Sequence, residues 1–197
     1  FVDIEAPVKY ILIKLRNQSG RQRRITATGY VEWVLGDLRA KNLMQIVTEL
    51  DEGSGAVLAR NAYSSEFVNR VAFFDADGTN KAVTTDRTEF IGRNGTMSNP
   101  DGLNRVRLSG KTGALLDPCG VIQVVVNLVE EEEYEIIFRL GAGQNTQHAL
   151  DIIQASSGSE AAQRALGKVH QYWQKALGAV QIKTPDAALN MLTNGWL

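Results

Sequence analysis

The chain has 197 residues, 44% of them hydrophobic, with 21 Lys and Arg against 22 Asp and Glu and a formal net charge of -1. That is enough apolar material for a sizeable core in one large domain, or one domain with an appendage. The charge balance gives no reason to invoke nucleic acid or an anionic membrane, and a single cysteine, Cys119, excludes an internal disulfide framework.

In chain order, the first two thirds read as β. "VKYILIKLRN" and "RRITATGYVEWVLG" alternate. Ile11, Ile13 and Leu15 share one face of the first, and Ile25, Ala27, Val31, Trp33 and Leu35 share one face of the second. "NQSGR" between them is a hairpin signal, with Arg21, Arg23 and Arg24 as its solvated shoulder. "LMQIVTEL" and "GAVLARNAY" flank "DEGSG", a second hairpin signal. "RVAFFDAD" ends in an acidic turn, "NRVRLSG" is a short strand, and "GVIQVVVNLV" and "YEIIFRLG" pair across the solvated turn Glu130–Glu133.

After Gly143 the period changes from two to that of a helix. "NTQHALDIIQAS" places Ala149, Leu150, Ile152 and Ile153 at helical spacing. The next helix starts with Ser157 or Ser159 as N-cap. It carries a stripe of Ala162, Ala165, Leu166, Val169, Tyr172, Trp173, Ala176 and Leu177. A third helix begins at "TPDAALNMLTNGWL", with Thr184 as cap, Pro185 at the first helical position and Asp186 complementing the dipole. The pattern predicts a mainly β protein, a large antiparallel β-sandwich over residues 1–143 with helices over 144–197. The start without Met and the stop on an apolar helical segment suggest a piece of a larger protein.

Candidate chemistry is sparse. "LGAGQN" sits where a dinucleotide fingerprint would, but Thr146 fills the third glycine position, so a strand-to-helix turn is the plainer reading. His148 and His170 lack a companion at metal-ligand spacing, and no serine-hydrolase elbow occurs. Cys119, in "LLDPCGVIQV", reads as a small buried thiol. Asp75, Asp77, Asp86 and Glu89 are available carboxylates that sequence cannot pair. The stretch "TTDRTEFIGRNGTMSNP" is too polar for a core strand. Arg87 and Arg93 offer planar forks for hydroxyls or anions. Asp86 and Asn94 suit sugar hydroxyls, Phe90 suits a sugar ring, and Gly92 and Gly95 would let backbone approach a ligand. The alternative is an internal Asp86–Arg87 ion pair anchoring a long loop, with Phe90 as its core plug.

Six stretches carry a resemblance: "YVEWVLGD", "IVTELDEGSGAVLARNAYSSEF", "RVAFFDA", "TDRTEFIGRNG", "LSGKTGALLDPCGVIQV" and "FRLGAGQN". They resemble the β-sandwich region of glycoside hydrolase family 94, formerly glycosyltransferase family 36. That family holds cellobiose, cellodextrin and chitobiose phosphorylases and the phosphorylase-like part of cyclic β-1,2-glucan synthases. "EWVLG", "VTELD" and "LARNAYSSEF" are most similar to the synthase branch.

The resemblance implies a supersandwich of the galactose-mutarotase-like type, then a helical linker over 144–197 leading to an (α/α)6 barrel that this chain does not contain. It also implies inverting phosphorolysis, with inorganic phosphate as the parent's co-substrate and the catalytic acid on the barrel. This segment would then hold no catalytic residue and need no metal or cofactor. It implies a β-glucan oligosaccharide, the barrel and a homodimer mate as partners. The setting would be the bacterial cytoplasm, other domains of the parent supplying any inner-membrane anchor. By motif, "TDRTEFIGRNG" matches a loop lent to the acceptor-sugar side, so Arg87 or Arg93 is the expected sugar contact, supported by Asp86, Phe90 and Asn94. An independent carbohydrate-binding module and a purely structural or dimerisation domain are the competing readings.

Overall fold

The computed structural model describes residues 1–195, so Trp196 and Leu197 of the third expected helix lie outside the described residues. Among the described residues eight strands form two antiparallel sheets: β1 (Val8–Arg16), β2 (Arg23–Glu32), β3 (Ile46–Leu50), β4 (Val57–Asn61), β5 (Val71–Ala76), β6 (Lys81–Asp86), β7 (Pro118–Leu128) and β8 (Glu133–Gly143). The order is β1-β8-β5-β4-β3 in one sheet and β2-β7-β6 in the other. The helices are α1 (Arg39–Asn42), α2 (Arg87–Ile91), α3 (Thr146–Ser156), α4 (Ser159–Leu177) and α5 (Ala187–Gly195).

The predicted sandwich is present, and the β3–β4 hairpin forms across "DEGSG". The other expected hairpins do not. β1 pairs with β8 and β2 with β7, so "NQSGR" and the glutamate turn are arches that carry the chain from one sheet to the other. Alternation fixes which face a residue takes, but not which strand lies beside it. The two arches lie side by side. Asn17 N donates to Glu132 O (3.1 Å) and Glu131 N to Asn17 O (2.8 Å), while the buried Asn17 amide donates to Arg21, Leu128 and Val129 carbonyls. β6 contradicts the reading of Thr84 and Thr85 as too polar for a core strand. Both are fully buried, because Thr85 Oγ1 meets Thr48 Oγ1 at 2.6 Å and Thr84 Oγ1 donates to Glu89 at 2.6 Å. "NRVRLSG" forms no strand. Its continuation runs along the free edge of β6, with Gly110 N donating to Val83 O and Thr85 N to Lys111 O, both 2.8 Å. That covers an edge that would otherwise offer unpaired backbone.

Three apolar clusters stack through the molecule. Between the sheets, the predicted face of β2 and Ile13 and Leu15 of β1 meet the parallel-stacked rings of Phe74 and Phe138, 5.9 Å apart. Ile11, assigned to the same face, is 41% exposed. On the outer side of the larger sheet, Val8, Tyr10, Phe73 and Ile137 pack against Ala149, Ile152, Ile153, Ala162 and Ala165 of α3 and α4. A row of polar side chains crosses this second cluster. Register places Tyr10 opposite Arg139 and Arg139 opposite Asp75. Arg139 is 1% exposed; it bonds Asp75 at 2.5 Å, Asp77 at 2.6 Å and the last carbonyl of α3, Ser156 O, at 3.0 Å. A guanidinium on a helix C-terminal carbonyl suits the dipole and pins α3 to the sheet. Burial, chiefly, and then nearby Asp3 raise the Tyr10 phenol above its usual value.

Helix starts differ from the sequence reading. α4 begins after Gly158 (φ 86°), whose amide reaches Asp77, because a positive φ at that corner favours glycine over either flanking serine. Asp186, not Thr184, caps α5, accepting from Ala188 N at 2.9 Å. The stripe on α4 is covered only in its first half, while Tyr172, Trp173 and Leu177 each remain more than half exposed.

Candidate functional site

The two ends of the sandwich are unlike. At one, short turns join strands over residues 17–22, 51–56, 77–80 and 129–132. At the other lie the longer connections 33–45, 62–70 and 87–117. Loops set on a rigid sheet are where binding residues concentrate. The stretch expected to carry the site, Thr84–Pro100, belongs to this second end.

Local chemistry explains its path. Asp86 ends β6 with extended backbone and accepts from Thr88 N at 3.0 Å, so it is the N-cap of α2. Five residues do not hold a helix alone, so packing must. Phe90 (3% exposed) and Ile91 (1%) sink into the third cluster with Leu108, Cys119 and Val121, and the Phe90 ring stacks on Tyr30 at 5.4 Å. Gly92 closes the helix at φ 93°. A Cβ on Gly95 would sit 1.8 Å from Ile91 O, so the glycine is required by the chain folding on itself rather than by an approaching ligand.

Asp86 does not pair with Arg87: its carboxylate takes the Thr88 amide and Lys111 Nζ at 2.5 Å. Arg87 instead joins a four-charge cluster. Its Nε donates to Glu32 at 2.9 Å and its Nη1 lies 3.6 Å from Asp117, while Arg39 approaches the same two carboxylates, Glu32 at 3.2 Å and Asp117 in closer contact. Tyr30 adds a hydrogen bond to Glu32 at 2.6 Å. That phenol holds the Glu32 carboxyl below its usual range; burial opposes it and Arg87 and Arg39 reinforce it. Burial, then Glu32, push the Tyr30 phenol well up. Phe90 is a plug, not an exposed platform, because α2 turns it inward. Arg93 and Asn94 are exposed on the tip and make no side-chain hydrogen bond or ion pair among the described residues. Of the five candidates, two are therefore free toward solvent and three hold the loop in place.

Sequence reasoning missed Glu32, Arg39 and Asp117. Glu32 lies 55 positions from Arg87 and Asp117 lies 78 from Arg39, and no local spacing announces such pairs. The one available signal was an isolated acid at the end of one strand, in "YVEW", and another just before the next, in "LLDPC". The other carboxylates are committed as well: Asp75 and Asp77 to Arg139, and Glu89 to Ser109 N (2.9 Å), Ser109 Oγ (2.6 Å) and Thr84. Burial pushes Glu89 up, but those hydrogen bonds outweigh it and hold the carboxyl below its ordinary value. A depressed folded-state value gives stability that is present above the unfolded glutamate value, about 4.3, and lost as pH falls through the folded one. Glu89→Gln is therefore expected to lower stability at pH 7 by about 1 kcal/mol and to flatten the decline below pH ~4.3 in urea titrations. An unchanged acid limb would deny Glu89 this role. Cys119 is fully buried and burial raises its thiol far above the usual range, as expected of an inert packing residue. Among the described residues no His, Cys, Asp and Glu group could hold a metal, and no helix is long and apolar enough to cross a membrane.

Comparison with known proteins agrees with this architecture. The profile described as "Glycosyl hydrolase 94, supersandwich domain" matches residues 1–159. The chain is 30% identical over 192 residues to the cyclic beta-(1,2)-glucan synthase NdvB of Rhizobium meliloti (strain 1021), covering 97% of this chain and 7% of that protein. It is 25% identical over 194 residues to the N,N'-diacetylchitobiose phosphorylase of Vibrio furnissii, covering 93% of this chain and 23% of the relative. To the cellobionic acid phosphorylase of Neurospora crassa it is 22% identical over 191 residues, 94% of this chain and 24% of the relative. The chain thus spans less than a quarter of each of these relatives. The sandwich, its closing helices and the profile match together place this chain in the glycosyl hydrolase 94 family, as a supersandwich domain.

Proposed function

We propose that this chain is the non-catalytic sandwich module of an inverting glycoside phosphorylase or cyclic β-1,2-glucan synthase type of enzyme. It supports an (α/α)6 barrel and lends that barrel's acceptor side a sugar-contacting tip. The observation that carries the reading is the contrast within one loop. Asp86, Arg87 and Phe90 fix its base to the sandwich, while Arg93 and Asn94 project from its tip with no side-chain partner among the described residues. A rigid base under free donors is the arrangement a binding loop needs, since little order remains to be gained on contact. The helices α3 to α5 lead toward the barrel, and the uncovered Tyr172, Trp173 and Leu177 of α4 are apolar surface suited to meeting it. Inorganic phosphate and a β-glucan oligosaccharide would be substrates of the whole enzyme, the chemistry resting on barrel residues.

The test uses two preparations. Arg93→Ala in the full-length enzyme is expected to lower kcat/KM for phosphorolysis about tenfold or more through the acceptor sugar, at unchanged stability. Isothermal titration of the 197-residue chain with β-1,2-gluco-oligosaccharides then separates the alternatives. Binding by the chain alone, lost in Arg93→Ala, makes it an independent carbohydrate-binding module. No effect in either assay sinks the ligand reading and leaves a structural or dimerisation domain. The four-charge anchoring of Arg87 favours that outcome for Arg87 itself.

A further inference from the structure

The outer face of the three-stranded sheet is divided. Toward the long loops it is apolar and lies beneath Phe90, Ile91 and Leu108. Toward the short turns it is polar, and register sets Thr26 opposite Val125, with Thr28 and Ala82 both opposite Gln123. The connection following Pro100 overhangs this polar half and leaves a groove of about 460 Å³, lined among others by Arg24, Thr26, Asn80, Arg105, Arg107 and Gln123.

Three guanidiniums gather here in a chain whose net charge is -1, and no carboxylate lines the groove among the described residues. Their internal partners are weak. Arg105 lies 3.6 Å from Glu89, Arg107 reaches Lys81 O at 3.5 Å, and Arg24 has no side-chain partner among the described residues. Like charges drawn together with only one distant counter-charge, Glu89, make a site for an anion. Gln123 narrows the chemistry. It is 5% exposed, and its Nε2 donates to Gly102 O at 3.1 Å. A carbonyl accepts only from the amide nitrogen, which fixes the orientation and leaves Oε1 as an acceptor, without a hydrogen bond among the described residues. A bare oxyanion does not satisfy an acceptor, whereas a hydroxyl does.

We propose that this groove binds a phosphorylated sugar or polyol, with the phosphate held by Arg24, Arg105 and Arg107 and a hydroxyl donating to Gln123. The site is separate from the Arg93 tip and independent of the function proposed for it.

The experiment is a two-dimensional amide NMR titration of the 197-residue chain with glucose 6-phosphate, inorganic phosphate and glucose. Glucose 6-phosphate is expected to shift the amides of Thr26, Gln123 and Val125, and added salt to weaken the effect. Arg24→Gln with Arg107→Gln should weaken binding at least about tenfold. Both side chains are exposed, so the spectrum itself reports that the fold is kept. Thr26→Asp, which adds a carboxylate without removing an arginine, should abolish binding. Weaker binding of inorganic phosphate assigns a phosphate ester, and equal binding assigns free phosphate to the same arginines. No shift, shifts that survive the double substitution, or equal shifts with glucose overturn the proposal. Arg93→Ala should leave these shifts unchanged, so failure here and failure at the tip are distinguishable.

Discussion

Arg139→Met is expected to destabilise the domain by about 3–5 kcal/mol, read as a lowered urea midpoint. Arg139 is 1% exposed and is the shared partner of Asp75, Asp77 and the end of α3. Removing it leaves Asp75, 2% exposed, with Lys81 Nζ at 3.3 Å as its one cationic partner among the described residues. A buried charge stripped of its partner costs far more than the pair itself contributes. Arg139→Met combined with Asp75→Asn should therefore recover part of the loss, because the amide no longer demands a counter-charge. A single-variant cost below about 1 kcal/mol would mean that Lys81 alone compensates Asp75. Hydrogen exchange adds a directional check. The last turn of α3 should lose protection before the strands do, since Arg139 ties Ser156 O to β8.

Phe90 gives the second large effect and bears on function. Phe90→Ala is expected to cost about 3–5 kcal/mol, because it empties the space between Tyr30, Gly102 and Leu108 that holds α2 down. Phe90→Leu keeps most of that volume and should cost under about 1.5 kcal/mol. The pair separates packing from recognition. If Phe90 is a plug, the leucine variant of the full-length enzyme keeps its KM for the acceptor sugar while the alanine variant loses stability and turnover together. A leucine variant that is stable yet binds sugar poorly would restore Phe90 as a stacking platform.

These two residues show where sequence reading reached and where it stopped. Phe90 was legible as either plug or platform, because an aromatic residue among polar neighbours fits both. Only the inward turn of α2 separates them. Arg139, within the strand "YEIIFRLG", gave no signal at all, since its partners come from β5 and the end of α3. The Asp86–Arg87 pairing failed for a related reason. Adjacent opposite charges look like partners, but the N-cap geometry commits Asp86 to Thr88 and Lys111 and sends Arg87 toward Glu32.

The sequence by itself determined the period of each segment, and so the strands, the helices and the faces they bury: Ile25, Ala27 and Val31 inward on β2 with Trp33 just beyond its end, and Ala162, Ala165 and Val169 on α4. It also carried the family resemblance, through long unbroken motifs. Tertiary structure alone decided strand partners, because antiparallel pairing is satisfied equally by a neighbour in sequence or by one more than a hundred positions away. It turned two expected hairpins into arches and made a buried strand of "KAVTTD" by giving each threonine hydroxyl a partner. Charge pairing between distant segments left Arg93 and Asn94, among the described residues, as the free groups of a loop in which five residues had seemed equivalent. Local pattern fixes what a residue prefers to bury, and distance in three dimensions fixes what it meets there.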